Sequence, residues 1–138
     1  MSMTYAEALD LNNVTIPEHL TADAEVPVLT VPQAQGDLLI APARGRYKPG
    51  TVVPDSGVQV VHGEATGNTH WLNRGFDSPG VSWLRLDAGQ VVGVVTVPEG
   101  QTAMVVHTDE HGANGIGAGT YEIRRKREQA DMVRMVAD

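Results

Sequence analysis

Four of the five histidines in this sequence occur in two short segments that also carry carboxylates. The segment "VVHGEATGNTHWL" contains His62, Glu64 and His70, and "VVHTDEHGANG" contains His107 and His111. Two histidines and one carboxylate brought together can bind zinc, or iron in the two-His-one-carboxylate arrangement. The chain has no cysteine, so imidazole nitrogens and carboxylate oxygens would be the only ligands. These five residues are therefore the candidate metal ligands.

Two other roles are open to the same histidines. Their spacing matches no dedicated metal motif such as HExxH, which favours hydrogen-bonded structural histidines over a metal site. Imidazoles at the ends of hairpins can bond to exposed backbone carbonyls and to nearby carboxylates. A third possibility is acid-base chemistry without a metal.

Strand geometry decides whether the first segment converges. Side chains alternate along a strand, so His62 and Glu64 are expected to share one face. A two-residue loop at the Gly-Asn turn pairs His70 with Ala65, on the face opposite Glu64. A three-residue loop pairs His70 with Glu64 and gathers the three polar side chains. The sequence leaves this register open.

The elements around these segments indicate an all-β fold. The chain has 138 residues, rich in valine, glycine and proline and with only six aromatic side chains. Strand patterns recur every 8 to 12 residues and are separated by the turn-forming residues Gly and Pro. This spacing predicts one small β-barrel or sandwich. We divide the chain into an extended N-terminal arm, residues 1–35, and one β domain, residues 36–138, which ends in a short C-terminal helix.

The arm begins with "TYAEALDL", which predicts a short helix capped by Thr4 with Glu7 at the capping-box position. Pro17, Pro27 and Pro32 then favour an extended chain. We expect this arm to make intermolecular contacts.

Alternation in the β domain predicts which side chains point inward. In the last strand, "GAGTYEIRRKRE", Tyr121 and Ile123 alternate with Glu122 and Arg124. The glycine-rich "GANGIGAG" before it is interpreted as turns. The residues expected in the core are Leu39, Val60, Leu84, Val92, Val94 and Val105.

Charge is distributed unevenly along the chain. The net charge is −7, residues 1–43 contain no Lys or Arg, and residues 124–127 are all basic. A single basic run in an acidic chain makes nucleic acid an unlikely partner. No secretory signal and no apolar run long enough to span a bilayer are recognised, so a soluble protein made in a cytoplasm is expected.

Several segments together resemble a family of small uncharacterised proteins of bacteria and tailed phages. The resemblance rests on "QGDLLIAP", "VHGEATGNTHWL", "VVHTDEHGANGIGAGTYEIRRKRE" and "MVRMVAD", and covers roughly residues 35–138. The family carries G-E-x-T-G-H-x-H, and this chain has Asn68 in place of the first turn histidine while His70 is retained. After His111 the family's Ala-Pro pair is also missing. The resemblance implies no known activity.

The function favoured by these observations is that of a non-enzymatic structural or interaction protein. It would dock on copies of itself and on a larger assembly, most concretely as a decoration or minor capsid protein of a tailed phage, and would then be found in the virion. The alternative is a metal-binding β-barrel enzyme or sensor using the five candidate ligands, with zinc or iron as its cofactor.

We expect His70 to lie near His107 without a bound metal ion, since the chain lacks thiolates and one turn histidine of the family. Elemental analysis of protein purified without chelator shows whether a metal ion is bound. Thermal melts with and without EDTA show whether such an ion stabilises the fold. A near-stoichiometric transition metal, or a melting temperature lowered by EDTA, would support the metal site instead.

Overall fold

The computed structural model describes residues 3–12, 25–61, 69–107 and 112–125. Within these residues the chain forms two β-sheets and one short helix. The elements are α1 (Tyr5–Asp10), β1 (Val28–Leu29), β2 (Gln33–Gln35), β3 (Leu38–Pro42), β4 (Thr51–Val52), β5 (Val58–Val61), β6 (His70–Arg74), β7 (Ser82–Ala88), β8 (Val91–Val97), β9 (Ala103–His107), β10 (Gly112–Ile116) and β11 (Gly119–Arg125). The predicted C-terminal helix falls outside the described residues.

The two sheets form a sandwich. The described residues do not form a closed barrel, which was the other fold predicted from the sequence. The five-stranded sheet has the order β1-β10-β9-β6-β5, and the six-stranded sheet has the order β2-β3-β11-β8-β7-β4. All pairs are antiparallel except β1 with β10. The all-β prediction from valine-rich runs between Gly and Pro is therefore confirmed.

The main core lies between the sheets. Val60, Val92 and Val105, three of the six predicted core residues, belong to it. Leu39 and Val94 are also buried but are not part of this cluster, and Leu84 is only partly buried. Strand β3 is buried on both faces, so period two does not separate Leu39 from the residues of the main cluster. The neighbours of Leu39, Leu84 and Val94 that belong to this cluster are Leu38, Ile40, Trp83 and Val95.

A second cluster covers the outer face of the five-stranded sheet. Ala8 and Leu9 of α1 are fully buried and pack with Met104, Val106 and Ala113. The helix has the predicted capping box, in which Thr4 accepts from the Glu7 amide and Glu7 accepts from the Thr4 amide. The first part of the predicted arm thus packs on its own chain.

The later part of the arm joins both sheets. Strand β1 lies parallel to β10, with Val28 opposite Gly115, and β2 pairs with β3. The amides of Gly115 and Gly117 donate to the carbonyls of Pro27 and Leu29. Within the described residues, the arm therefore forms an edge strand of each sheet.

Strand β10 corrects the interpretation of "GANGIGAG" as turns, because Gly112–Ile116 is a strand. Glycine has a low strand propensity, so sequence pattern alone misses it. A Cβ at Gly115 would lie 2.7 Å from the Pro27 carbonyl oxygen. The glycine is required here by the close approach of β1, which is a tertiary contact.

Replacing Gly115 by Ala should destabilise the protein, because the new methyl group meets backbone that cannot move without displacing β1. The expected loss is about 1–3 kcal/mol of unfolding free energy in urea. Gly112→Ala, in the same strand, is the control, since its Cβ would meet nothing within 4 Å. Equal losses in the two variants would contradict this account of β10.

Candidate functional site

His70 and His107 form a directly opposed pair on neighbouring strands. They are in register in the β6–β9 ladder, and their ring centroids are 4.1 Å apart with an interplanar angle of 15°. Both are buried, with relative exposures of 0% and 2%. The predicted proximity of the two histidines is confirmed.

The pair occupies one end of the core. His70 is two residues from Leu72, and His107 is two residues from Val105, so each imidazole shares the inward face of its strand with a core residue. The ladder that aligns them runs from His70 opposite His107 to Arg74 opposite Ala103. Within the described residues, the two rings therefore lie at the end of the row of core side chains on these strands.

Two residues from the β2–β3 hairpin bond to His70. Its Nδ1 lies 2.8 Å from Gln35 Oε1, and its Nε2 lies 3.2 Å from Asp37 Oδ1. The Gln35 amide is oriented by its own Nε2, which donates to the Val105 carbonyl at 2.6 Å and to Asn114 Oδ1 at 2.8 Å. Each ring nitrogen of His70 therefore has an oxygen atom within hydrogen-bond distance, which fixes the orientation of the imidazole.

The same hairpin covers both rings. Gly36 has φ of +57°, and a Cβ there would lie 3.0 Å from His107 Cε1 and 3.3 Å from His70 Cε1. Glycine adopts this left-handed conformation without a steric penalty and leaves room for the rings beneath. The Gly36-Asp37 turn thus packs directly over the histidine pair.

A line of amide side chains extends from this centre. Asn114 Nδ2 donates to Gln33 Oε1 at 3.1 Å, and Gln33 Nε2 donates to the Gly115 carbonyl at 2.9 Å. Gln33 and Gln35 belong to the six-stranded sheet, while Asn114 and Gly115 belong to the five-stranded sheet. These bonds join the two sheets along one side of the sandwich.

The two rings of the pair are not arranged around a single ion. Two nearly parallel rings direct their in-plane lone pairs in parallel, so one ion cannot lie in both ring planes at bonding distance. Both nitrogens of His70 are already bonded to Gln35 and Asp37. Within the described residues there is no group of three or more side chains arranged to hold a metal. His62, Glu64 and His111 lie outside these residues, so the metal site on all five candidates stays a prediction.

The register of His70 differs from both sequence alternatives. It lies opposite Val61, and not opposite Ala65 or Glu64 as the two sequence alternatives required. The local turn pattern was misleading because β6 also pairs with β9 over five residues. That longer ladder, which places Leu72 in the core, sets the register.

Sequence analysis missed the residues that hold the histidines. Gln35, Asp37 and Asn114 were not singled out, although "QAQGD" places two glutamines at alternate positions before a Gly-Asp turn. That spacing puts both glutamine side chains on one face of a strand. This shared face is the signal in the sequence that could have indicated a buried polar contact. Their partners are 33 to 82 residues away along the chain, beyond the reach of local pattern.

Comparison with known proteins defines the class of this chain. Residues 34–126 match a family described as "Domain of unknown function (DUF8820)". The match covers most of the chain, which therefore belongs to that family. No curated protein and no solved structure matches it. None of the helices among the described residues is long and apolar enough to cross a membrane.

Gln35→Met should destabilise the protein strongly, because it leaves the Val105 carbonyl, Asn114 Oδ1 and His70 Nδ1 without their bonds to Gln35 in a buried site. We expect a loss of about 2–4 kcal/mol in chemical denaturation. Gln33→Met is the matched control: its side chain is only partly buried, so water can replace its bonds and the loss should stay below about 1 kcal/mol. Similar losses in both variants would contradict a central role for Gln35.

Proposed function

We propose that this chain is a non-enzymatic interaction protein that docks on a larger protein assembly through strand β1 and the residues that follow it. The observation that carries the proposal is an exposed apolar edge strand that is hydrogen-bonded to β10. The sealed histidine pair supports a non-catalytic role, since Gln35 and Asp37 engage both nitrogens of His70.

The apolar part of the proposed docking strand is Leu29 and Val31. Their relative exposures are 41% and 55%, high for large apolar side chains. Neighbouring Val28 instead packs towards the cluster beneath α1. Exposed apolar side chains on an edge strand are typical of surfaces that bind another protein.

The backbone of β1 is suited to strand addition. The carbonyls of Pro27 and Leu29 accept from β10, so alternation turns the amide and carbonyl of Val28 towards the open edge of the sheet. A partner strand could bond there by β-augmentation, with pockets for Leu29 and Val31 giving specificity. Pro27 and Pro32 flank the segment and restrict the length of strand that can pair.

Attachment to β10 prepares this strand for binding. The bonds from Gly115 and Gly117 hold it in extended form, so little conformational entropy remains to be lost on docking. An arm ordered in this way supports docking better than a flexible tail of the same composition.

The concrete form that we propose is a capsid-associated protein of a tailed phage, a decoration or minor capsid protein. The proposal is supported by the resemblance of several segments to bacterial and tailed-phage proteins and by the docking strand. Such a protein would be present in the cytoplasm of the producing cell and then in the virion.

Val31→Asp should abolish docking, because it places a charge at the centre of an apolar contact. The tagged chain would be expressed in the cell that encodes it, and lysates and purified particles separated by sedimentation. Wild-type protein is expected with fast-sedimenting particles, and the variant with free chains of 14.7 kDa.

Val52→Asp is the matched control, since Val52 is also 55% exposed but lies on β4, the edge of the other sheet. It should sediment like wild type. Equal loss in both variants would argue against β1, and a wild-type chain found only in the free fraction would argue against docking.

A further inference from the structure

The outer face of the six-stranded sheet carries a cluster of basic residues. Glu122 and Arg124 are on the face of β11 opposite the core residues Tyr121 and Ile123. The segment that follows β3 lies against this face, because the Tyr47 hydroxyl donates to Glu122 at 3.0 Å. We call this surface the basic face, and its cations are Arg44, Arg46, Lys48 and Arg124.

Glu122 holds the basic face in place. Although a carboxylate, it is only 3% exposed, and it accepts from the Arg44 amide at 3.4 Å and from Arg124 Nη1 at 2.8 Å. The hydrogen bond to Glu122 raises the pKa of Tyr47, so the tyrosine remains a neutral donor. Arg46 and Lys48 on either side of Tyr47 are exposed. The cations are thus displayed by an anchored segment.

The opposite side of the sandwich is acidic. Helix α1 covers the outer face of the five-stranded sheet and exposes Glu7 and Asp10, and Glu25 is exposed beside Thr4. Asp55 and Asp77 lie on the same side, in a groove that also contains Met3 of the α1 cluster. We call this surface the acidic face.

The groove in the acidic face has the composition of a receptor for a long basic side chain. Its volume is about 450 Å³, and Met3 and Leu11 supply apolar surface while Asp55 and Asp77 supply carboxylates. Arg74 also lines the groove and is paired with Asp55, so the exposed Asp77 is the carboxylate left for an incoming cation. An arginine or lysine buries its aliphatic stem on apolar surface and places its charged end beside a carboxylate.

We infer that the basic face of one copy of this chain binds the acidic face of a second copy, with a cation of the 44–48 segment entering the groove beside Asp77. The chain itself supplies both surfaces, each anchored by buried contacts and opposite in charge. Because the two surfaces are on opposite sides of the sandwich, the contact is heterologous and produces head-to-tail rings or filaments. This self-association is independent of docking through β1.

Complementary variants test the inference. Arg46→Glu with Lys48→Glu destroys the basic face only. Asp10→Lys with Asp77→Asn destroys the acidic face only; asparagine suits the positive φ of 47° at Asp77, and lysine suits the last turn of α1. Masses would be measured by light scattering at about 0.01 M and about 1 M salt.

Wild type should form species of at least two chains at low salt and single chains at high salt. Each double variant alone should be monomeric, and their equimolar mixture should form a dimer, since each retains the surface that the other lacks. Glu99→Lys changes an exposed residue that is not among those defining either face and should associate like wild type. Asp10→Lys changes the net charge equally and should associate less.

Three results would overturn the inference: a wild-type chain that is monomeric at low salt, association that survives both double variants, or a mixture that stays monomeric. Monomeric wild type that binds heparin through Arg46 and Lys48 would show instead that the basic face takes a polyanion.

Discussion

The side chain of Gln35 is the contact on which the arrangement of the two sheets depends. It reaches from the edge of one sheet to the Val105 carbonyl and Asn114 of the other, and it orients His70. A buried amide is costly unless each polar atom is bonded, so this side chain admits few relative positions of the sheets. Apolar packing between the sheets is far less directional. The histidine pair is the polar end of a core whose geometry Gln35 specifies.

The opposite side of the sandwich is joined in a different way. Arg85 of β7 donates to the Gln59 and Val60 carbonyls of β5 and lies over the Trp83 ring at 5.6 Å. The guanidinium thereby occupies carbonyls of an edge strand that would otherwise be open to pairing. Among the residues that the structure describes, strand β1 has no comparable cover over Leu29 and Val31. The contrast between a blocked edge and an exposed one is what makes β1 the proposed docking element.

Glycine has two opposite effects in this chain. It weakens strand propensity at β10, yet the close approach of β1 to that strand requires it at Gly115. At Gly36 it permits the turn that seals the histidine rings. From the local sequence, both glycines are typical of loops. Only the neighbouring Pro27 backbone and the histidine rings show why a side chain does not fit at these two positions.

The sequence by itself determined the all-β class, the capping box at Thr4 and Glu7, and the alternation of Tyr121 and Ile123 with Glu122 and Arg124. These features depend on propensity, on contacts three residues apart and on the period of a strand, all of which are local. It also pointed to His70 and His107 as neighbours. Tertiary structure alone decided the register of His70 opposite Val61, the strand at Gly112–Ile116 and the roles of Gln35 and Asp37. Each of these is set by a partner strand or side chain that is distant in the chain. Pairing between distant segments produces no periodic pattern of residues in the sequence, so local patterns do not predict it.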